Sequence, residues 1–282
     1  MKLVLFDLDG TLLNAGPCGV SSLNKTVEKL YGKKPVYEIN ALIGKTDIHN
    51  FKYLYKIAFK KNPAAAQFAA MRADYLKNLK EEVSALFKSK KSKPVAGAEN
   101  LLKILSKNKD IKLALCTGNF EEAARIKLAP HKLGRYFETG GFGDKALDRV
   151  SLIALAVKNA EKFYKTKFAA DDIFVIGDTY IDITAAKQLG CHNAAVYEAA
   201  LGDMEKLHRA AAELEVKNFK DTALWLMWIG VKADPKGVEK GSYIMPATAI
   251  EHVFFSRTGI DEQRLKMFRI KKYSDIESGK LI

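Results

Sequence analysis

The stretch that decides the fold is KLVLFDLDGT, residues 2–11. Its first seven residues are mostly apolar and rich in strand formers, which predicts a buried β-strand that ends at an acidic turn. Asp7 and Asp9 lie at the tip of this strand. The sequence therefore places a carboxylate pair at the end of a core strand.

Such a pair can divide the work of phosphoryl transfer, because one carboxylate attacks phosphorus while the other protonates the leaving oxygen. We predict that Asp7 is the nucleophile and that Asp9 acts first as acid and then as base. The alternative is an acidic turn that merely closes a strand, since Asp is a common turn residue.

Strand and helix patterns alternate along the rest of the chain. Helical spacing dominates residues 20–86, and the polar stretch KSKKSKP, residues 88–94, follows as a predicted hinge. Beyond it we predict helices over 98–107, 120–131, 149–164 and 181–189, and strands over 111–116, 173–176 and 194–197. This alternation favours an α/β fold, a parallel sheet with helices on both faces and a helical insert. A further helix is predicted over 261–272.

A second motif, CTGN at residues 116–119, ends another apolar strand and opens a helix. The hydroxyl of Thr117 and the backbone N–H groups of Gly118 and Asn119, beside a helix N-terminus, predict a cradle for phosphoryl oxygens. A plain helix cap is the alternative.

A third motif, GDTYID at residues 177–182, follows the strand IFVI. Asp178 and Asp182 would join the first pair at adjoining strand ends, and four carboxylates repel one another unless a cation neutralises them. Hard oxygen ligands and a phosphate substrate favour Mg²⁺. Taken alone, this motif also fits a turn before a capped helix.

The transferred phosphoryl group also calls for a fixed cation from the protein. The candidates between the second and third motifs are Arg149 and Lys145. We favour Arg149 because it begins a helix whose other face carries Leu152 and Leu155. For both residues the alternative is a solvated basic side chain.

Length, composition and charge indicate the broad class of protein. The 282 residues are 48% apolar and 28% charged, as in ordinary globular proteins, and the length suggests two domains. The formal charge of +13 favours anionic ligands, but no nucleic-acid motif accompanies it, so we expect no specific nucleic-acid partner. No apolar run is long enough for a membrane helix, and the spacing of Cys18, Cys116 and Cys191 matches no metal or redox motif. We expect a cytoplasmic protein with no membrane partner, and the sequence specifies no oligomeric state.

These motifs, in this order, resemble the haloacid dehalogenase superfamily over about residues 1–230. In particular, LCTGNFEEAARIKL followed by YFETGGFGDKALDR is similar to a phosphoglycolate phosphatase-like branch. In that branch the basic residue is an arginine in a GD…R segment, whereas most of the superfamily has lysine.

The resemblance implies a Rossmann-like, doubly wound core of residues 1–14 and 94–230 with an inserted helical cap domain at 15–93. It offers no counterpart for the extension at 231–282. It also implies a phosphatase that forms an aspartyl-phosphate, with Mg²⁺ held by Asp7, the backbone carbonyl of Asp9 and Asp178, and supported by Asp182.

The segment IGKTD, residues 43–47, resembles the cap loop of phosphoglycolate-type members, where Lys45 would meet the distal group of the substrate. A solvated lysine in a turn is the alternative. Gly118, Asn119, Lys45 and Lys145 complete the predicted substrate contacts.

We expect a small phosphorylated metabolite as partner, and phosphoglycolate, a nucleoside monophosphate and a sugar phosphate all remain open. A phosphosugar mutase would use the same core motifs, and a catalytically silent protein of this fold or a basic nucleic-acid binder are further alternatives. Dehalogenation is disfavoured, because displacing a halide needs no leaving-group acid such as Asp9.

Overall fold

The computed structural model describes residues 1–32 and 36–231 together with two short strands near the C-terminus. The strands are β1 (Lys2–Phe6), β2 (Leu13–Asn14), β3 (Lys93–Pro94), β4 (Ile111–Thr117), β5 (Gly140–Phe142), β6 (Ile173–Gly177), β7 (His192–Val196), β8 (Leu214–Val216), β9 (Tyr243–Met245) and β10 (Lys271–Lys272). The helices are α1 (Cys18–Tyr31), α2 (Asp47–Phe59), α3 (Ala65–Lys88), α4 (Ala98–Leu105), α5 (Glu121–Leu128), α6 (Arg149–Tyr164), α7 (Tyr180–Gln188), α8 (Met204–Arg209) and α9 (Thr222–Ile229).

Six strands form a parallel sheet in the order β5-β4-β1-β6-β7-β8. Beyond β8, β9 pairs antiparallel with it and β10 pairs parallel with β9. The order reverses at β1, so the loops after β1, β4 and β6 lie side by side at the carboxyl edge. In sheets of this kind that edge is where ligands bind.

Both faces of the sheet are covered, which explains why LVLF, residues 3–6 of β1, is apolar throughout rather than alternating. Val4 and Phe6 pack on one face with residues of α4, α5 and α9. Leu3 and Leu5 pack on the other face with residues of α6 and α7. The predicted α/β class, a doubly wound and mainly parallel sheet, is confirmed.

Several elements differ from the sequence predictions. Strand β5 was not predicted, because consecutive glycines are poor strand formers. A Cβ on Gly140 would lie 2.7 Å from the Leu115 carbonyl oxygen, and one on Gly141 would lie 2.6 Å from that of Leu152. Close packing against β4 and α6 therefore requires both glycines. Strand β8 and helix α9 were also missed, and the helix predicted over 120–131 ends at Leu128, followed by a 3-10 turn.

The helix predicted over 261–272 lies mostly outside the described residues. Its last two residues belong to strand β10 instead. Within the described part of the chain, none of the helices has the length and apolar character needed to cross a membrane.

Helices α1, α2 and α3 form the helical insert, which leaves the core at β2 and returns at β3. These two strands pair antiparallel, with Leu13 opposite Pro94. Inside the insert, the Lys29 Nζ lies 2.6 Å from Asp74 Oδ1. The helical insert that the sequence indicated is present, and its division into a separate domain stays a prediction.

The insert docks on the carboxyl edge of the sheet. The Asp47 amide donates to the Gly118 carbonyl at 2.6 Å, and the Phe120 amide donates to Asp47 Oδ2 at 2.8 Å. Arg72 of α3 pairs with Asp144 Oδ1 at 2.7 Å and stacks over the Phe120 ring. These contacts close the insert over the loops that carry the predicted chemistry.

Candidate active site

Three buried carboxylates converge where β1 and β6 end. β1 ends at Phe6, so Asp7 is the first residue after the strand. Oxygens of Asp7, Asp178 and Asp182 all lie within 4.8 Å of one another. The first and third motifs therefore meet at one place.

Arg149 is the cation of this cluster. It is the first residue of α6, whose N-cap is Asp148, and only 6% of it is exposed. Its Nη1 lies 3.3 Å from Asp7 Oδ1, and its Nε lies 3.0 Å from Asp182 Oδ1. Lys145, the second candidate for this cation, is exposed and is not among the described residues that line the cavity. The structure thus brings Arg149 into the site and leaves Lys145 outside it.

Asp182 positions the cluster. Its Oδ2 accepts hydrogen bonds from the Thr179 amide at 3.1 Å and the Thr179 hydroxyl at 2.6 Å, a capping box that begins α7. Its Oδ1 faces Arg149. Both oxygens of Asp182 are thus in contact with polar groups of Thr179 and Arg149.

Asp178 is held from two sides. Its Oδ1 accepts from the Thr11 hydroxyl at 3.2 Å, and its Oδ2 accepts from the Leu201 amide at 2.8 Å. Gly10 has a positive φ of 83°, and a Cβ there would lie 2.1 Å from Asp178 Oδ2. Gly10 and Thr11 of the first motif therefore lie directly against Asp178 of the third motif.

The electrostatics of the cluster favour an additional cation. Burial raises the pKa of Asp7 to about 7, against the opposing effect of Arg149. Burial, followed by the charges of Asp7 and Asp182, raises the pKa of Asp178 well above its usual range. One arginine does not offset three buried carboxylates, and a divalent cation with oxygen ligands fits this donor set.

Asp9 turns away from this cluster. Its Oδ2 accepts from the Lys127 Nζ at 2.5 Å and from the Asn119 Nδ2 at 2.8 Å. Lys127 also donates to Asn119 Oδ1 at 2.7 Å, which closes a three-residue network. The Asp9 side chain keeps 21% of its surface exposed and lines the cavity. The two aspartates of the first motif thus have different surroundings.

Lys127 was missed by the sequence analysis. It is only 4% exposed, and although burial lowers the pKa of a lysine, the carboxylates of Asp9 and Asp47 raise the pKa of Lys127 above its usual value. A signal was present in the sequence, because Lys127 follows Ala123 and Ala124 by one helical turn and precedes Leu128. A lysine on the apolar face of a predicted helix marks a cation held inside the protein.

The CTGN segment, predicted to cradle a phosphate, lies just before the start of α5. The Phe120 and Glu121 amides that follow it donate to Asp47 and Asp144. The Thr117 hydroxyl accepts from the Asn119 Nδ2 at 2.7 Å. Thr117, Gly118 and Asn119 all line the cavity, and the Asn119 side chain also donates to Asp9.

A cavity of about 470 Å³ joins these groups to the insert. Its lining includes Asp7, Asp9, Val20, Leu23, Ile39, Leu42, Lys45, Asp47, Asn50, Thr117, Lys127, Arg149, Asp178 and Leu201. Lys45 lies on the predicted cap loop and is exposed. The cavity has the size of a small-molecule site, and its wall combines chemistry from the core with side chains from the insert.

Comparison with known proteins agrees with this arrangement. A phosphorylated carbohydrates phosphatase of Thermotoga maritima is 25% identical over 223 residues, which cover 77% of this chain and 94% of the relative. A hydrolase from Pseudomonas syringae has a TM-score of 0.59 at 21% identity, covering 78% of this chain and 94% of the other. A β-phosphoglucomutase from Clostridium difficile has a TM-score of 0.59 at 15% identity, covering 78% and 92%.

The chain combines a doubly wound, mainly parallel sheet with an acidic cluster at the carboxyl edge of that sheet. The model of haloacid dehalogenase-like hydrolases matches residues 4–196, and the chain belongs to that family. The resemblance noted in the sequence is thereby confirmed.

Proposed function

We propose that this phosphatase hydrolyses a small phosphomonoester with Mg²⁺ through an aspartyl-phosphate on Asp7. The observation that carries the proposal is the pairing of Asp7, buried beside Arg149 and Asp178, with Asp9, which lines the same cavity from a different network. The name of the T. maritima relative, a phosphatase of phosphorylated carbohydrates, supports the substrate class.

The reaction proceeds in two displacements. A carboxylate oxygen of Asp7 attacks phosphorus, the bond from phosphorus to the ester oxygen breaks, and Asp9 gives its proton to the leaving alkoxide. A water molecule then attacks the aspartyl-phosphate while Asp9 takes its proton, which releases inorganic phosphate and restores Asp7. Each proton moved by Asp9 in the first step is recovered in the second.

Arg149 and Lys127 serve the two aspartates separately. Arg149, anchored by Asp182 and the Cys116 carbonyl, faces Asp7, where negative charge develops on the phosphoryl oxygens. Lys127 and Asn119 hold one oxygen of Asp9 and thereby aim its carboxyl group at the cavity. Asp9 must reach two different oxygens in turn, so a fixed orientation matters in both steps.

Asp7 and Asp178, with the backbone carbonyl of Asp9, are the residues that would hold Mg²⁺. Bound there, the ion would offset the clustered negative charge and polarise the phosphoryl oxygens. The side chain of Asp9 is turned to Lys127, in keeping with a contribution through its carbonyl alone.

Hydrolysis is favoured over phosphoryl transfer within a mutase. The likeness to a phosphoglucomutase, at 15% identity, reflects the shared fold alone. Compartment and partners belong to the same proposal: Cys18, Cys116 and Cys191 are unpaired and buried, which supports a reducing cytoplasm, and the partner is a small phosphorylated metabolite.

Removal of the metal should stop the reaction. We expect EDTA to lower phosphate release from a panel of sugar phosphates, nucleoside monophosphates and phosphoglycolate by at least about 100-fold, since the metal supplies several kcal/mol of charge stabilisation. Excess Mg²⁺ should restore the rate, and Ca²⁺ should not, because it adopts looser coordination. Full activity after EDTA treatment and gel filtration would contradict the metal requirement and leave the phosphatase proposal standing.

A further inference from the structure

The cavity has a polar half and an apolar half. Among the described residues, the core contributes mainly polar side chains, and those with a part in the proposed chemistry are Asp7, Asp9, Thr117, Lys127, Arg149 and Asp178. The insert contributes a set of apolar side chains, namely Pro17, Val20, Leu23, Ile39, Leu42 and Ile43. Most of the accessible wall of the cavity is apolar as a result.

Two helical stretches of the insert bring these apolar side chains to the cavity. Val20 and Leu23 are three residues apart on α1, so they lie on the same face of that helix. The Leu42 and Ile43 amides donate to the Ile39 carbonyl at 3.0 and 3.3 Å, which forms a helical turn. Residues three and four apart on such a turn lie on one side of it. The apolar half of the cavity is therefore a product of local structure in the insert.

Part of this apolar wall is exposed. Ile39 lines the cavity and yet is 44% exposed, and Val20 and Ile43 are half-buried. Leu201 of the core lines the same cavity and is 47% exposed. Apolar surface in a concave site is stabilised when a ligand removes it from water. A polar group placed against it would lose water without gaining a hydrogen-bond partner.

The charged side chains of the cavity do not call for a second anionic group on the substrate. Lys127 and Arg149 are paired with aspartates. Lys45 is exposed, so water and salt screen its charge. Asp47 lines the cavity as well, and its carboxylate disfavours a further anion.

The size of the cavity points to a leaving alcohol larger than glycolate. Its volume of about 470 Å³ lies in the range of about 300–1,000 Å³ that holds drug-sized ligands. In the proposed reaction the phosphoryl group lies beside Asp7 and Arg149, which leaves the insert half for the leaving alcohol. A two-carbon alcohol would leave much of the apolar wall in water.

We propose that the apolar half of the cavity binds a hydrocarbon chain or ring of the leaving alcohol, so that the preferred substrates are phosphomonoesters with a charged phosphate end and an apolar end. The inference rests on the proposed function and narrows its substrate class. The polar half performs the reaction, and burial of the hydrocarbon against side chains such as Val20 and Ile39 supplies the selectivity.

The test measures kcat/KM with Mg²⁺ for unbranched alkyl phosphates from ethyl to hexyl, with 2-phosphoglycolate beside them. The leaving alcohols of the alkyl series have nearly the same acidity, so differences in rate report contacts along the chain. In the wild-type protein we expect each added methylene to raise kcat/KM about threefold, which amounts to about 100-fold from ethyl to hexyl phosphate. The rate for 2-phosphoglycolate should be below that for hexyl phosphate.

Substitution of the wall tests where this selectivity arises. Ile39→Ser should lower the ratio of hexyl to ethyl phosphate at least about fivefold, because it removes apolar contact surface. Ile104→Ser is a matched control, since Ile104 is 37% exposed on α4 and is not among the described residues that line the cavity. Its ratio should be that of the wild type. Val20→Ser changes the other helical stretch and should act as Ile39→Ser does, which keeps the test available if Ile39→Ser does not fold.

The inference is overturned if kcat/KM changes less than about threefold from ethyl to hexyl phosphate, or if 2-phosphoglycolate is the best substrate of the set. An equal loss on ethyl and hexyl phosphate in both serine variants would also overturn it, because that pattern indicates a structural role. In each of these cases phosphate release still supports the proposed function. If the wild type releases phosphate from no member of the set, the proposed function itself fails.

Discussion

Replacing Asp7 by asparagine removes phosphate release, with a fall in kcat of at least about 10⁴-fold, since loss of a nucleophile abolishes the covalent route. The substitution keeps the shape of the side chain and leaves Arg149 in contact with an amide oxygen. Colorimetric measurement of phosphate with Mg²⁺ present, on the best substrate of the panel, checks the result. Trapping of ³²P on the protein from a labelled substrate should disappear together with turnover.

The same variant should fold at least as well as the wild type. Burial raises the pKa of Asp7, so its charged form is disfavoured in the folded protein and a neutral amide removes that cost. Asp110→Asn is a matched control, because Asp110 is exposed and precedes β4 at the opposite edge of the sheet. It should leave the rate unchanged. Phosphate release by a folded Asp7→Asn variant within about tenfold of wild type would exclude the covalent mechanism.

The core of this site was predictable because its determinants are local. An apolar run followed by polar residues marks where a strand ends, and parallel strands place all such ends on one edge. Asp7, Thr117 and Asp178 each follow such a run, and the structure brings all three to the cavity. No long-range contact had to be predicted for these three residues, because alternating strands and helices form a parallel sheet whose strand ends meet at one edge.

The choice between Arg149 and Lys145 shows where local information runs short. The two residues are four apart, so the rotation and starting point of α6 decide which one enters the site. Asp148 caps that helix, with its carboxylate accepting from the Ser151 amide at 2.7 Å, and this makes Arg149 the first helical residue. The capping pattern was in the sequence, whereas the contact with Asp7 depends on packing against β4.

Contacts that join distant segments were not predictable. Lys127 meets Asp9 across 118 residues, and the contact depends on how α5 is rotated against the core. Asp47 and Asn50 reach the cavity because the insert docks through the Gly118 carbonyl and the Phe120 amide. Periodicity identified the helices of the insert but not their placement, because many packings bury the same apolar face.

Substitution of Lys127 is expected to have the second large effect on the reaction rate. Lys127→Met should lower kcat by about 10²–10³-fold, because a misplaced Asp9 loses much of the contribution of general acid–base catalysis. Stability should fall by about 3 kcal/mol at most, since removing one partner of a buried ion pair is costly and Asp9, being 21% exposed, can regain water. Phosphate release and thermal unfolding of the purified variant give the two values.

A second substitution separates positioning from folding. In Asp9→Asn with Lys127→Met the carboxylate that bonds to Lys127 is removed as well, so the melting temperature should recover part of the loss while activity stays absent. Lys158→Met, which changes an exposed lysine on α6, should alter neither quantity. Asp9→Asn alone should lower the rate at least as much as Lys127→Met does, because Lys127 acts through Asp9. If Lys127→Met reduced the rate of an Asp9→Asn protein as much as that of the wild type, Lys127 would instead contact the phosphoryl group directly.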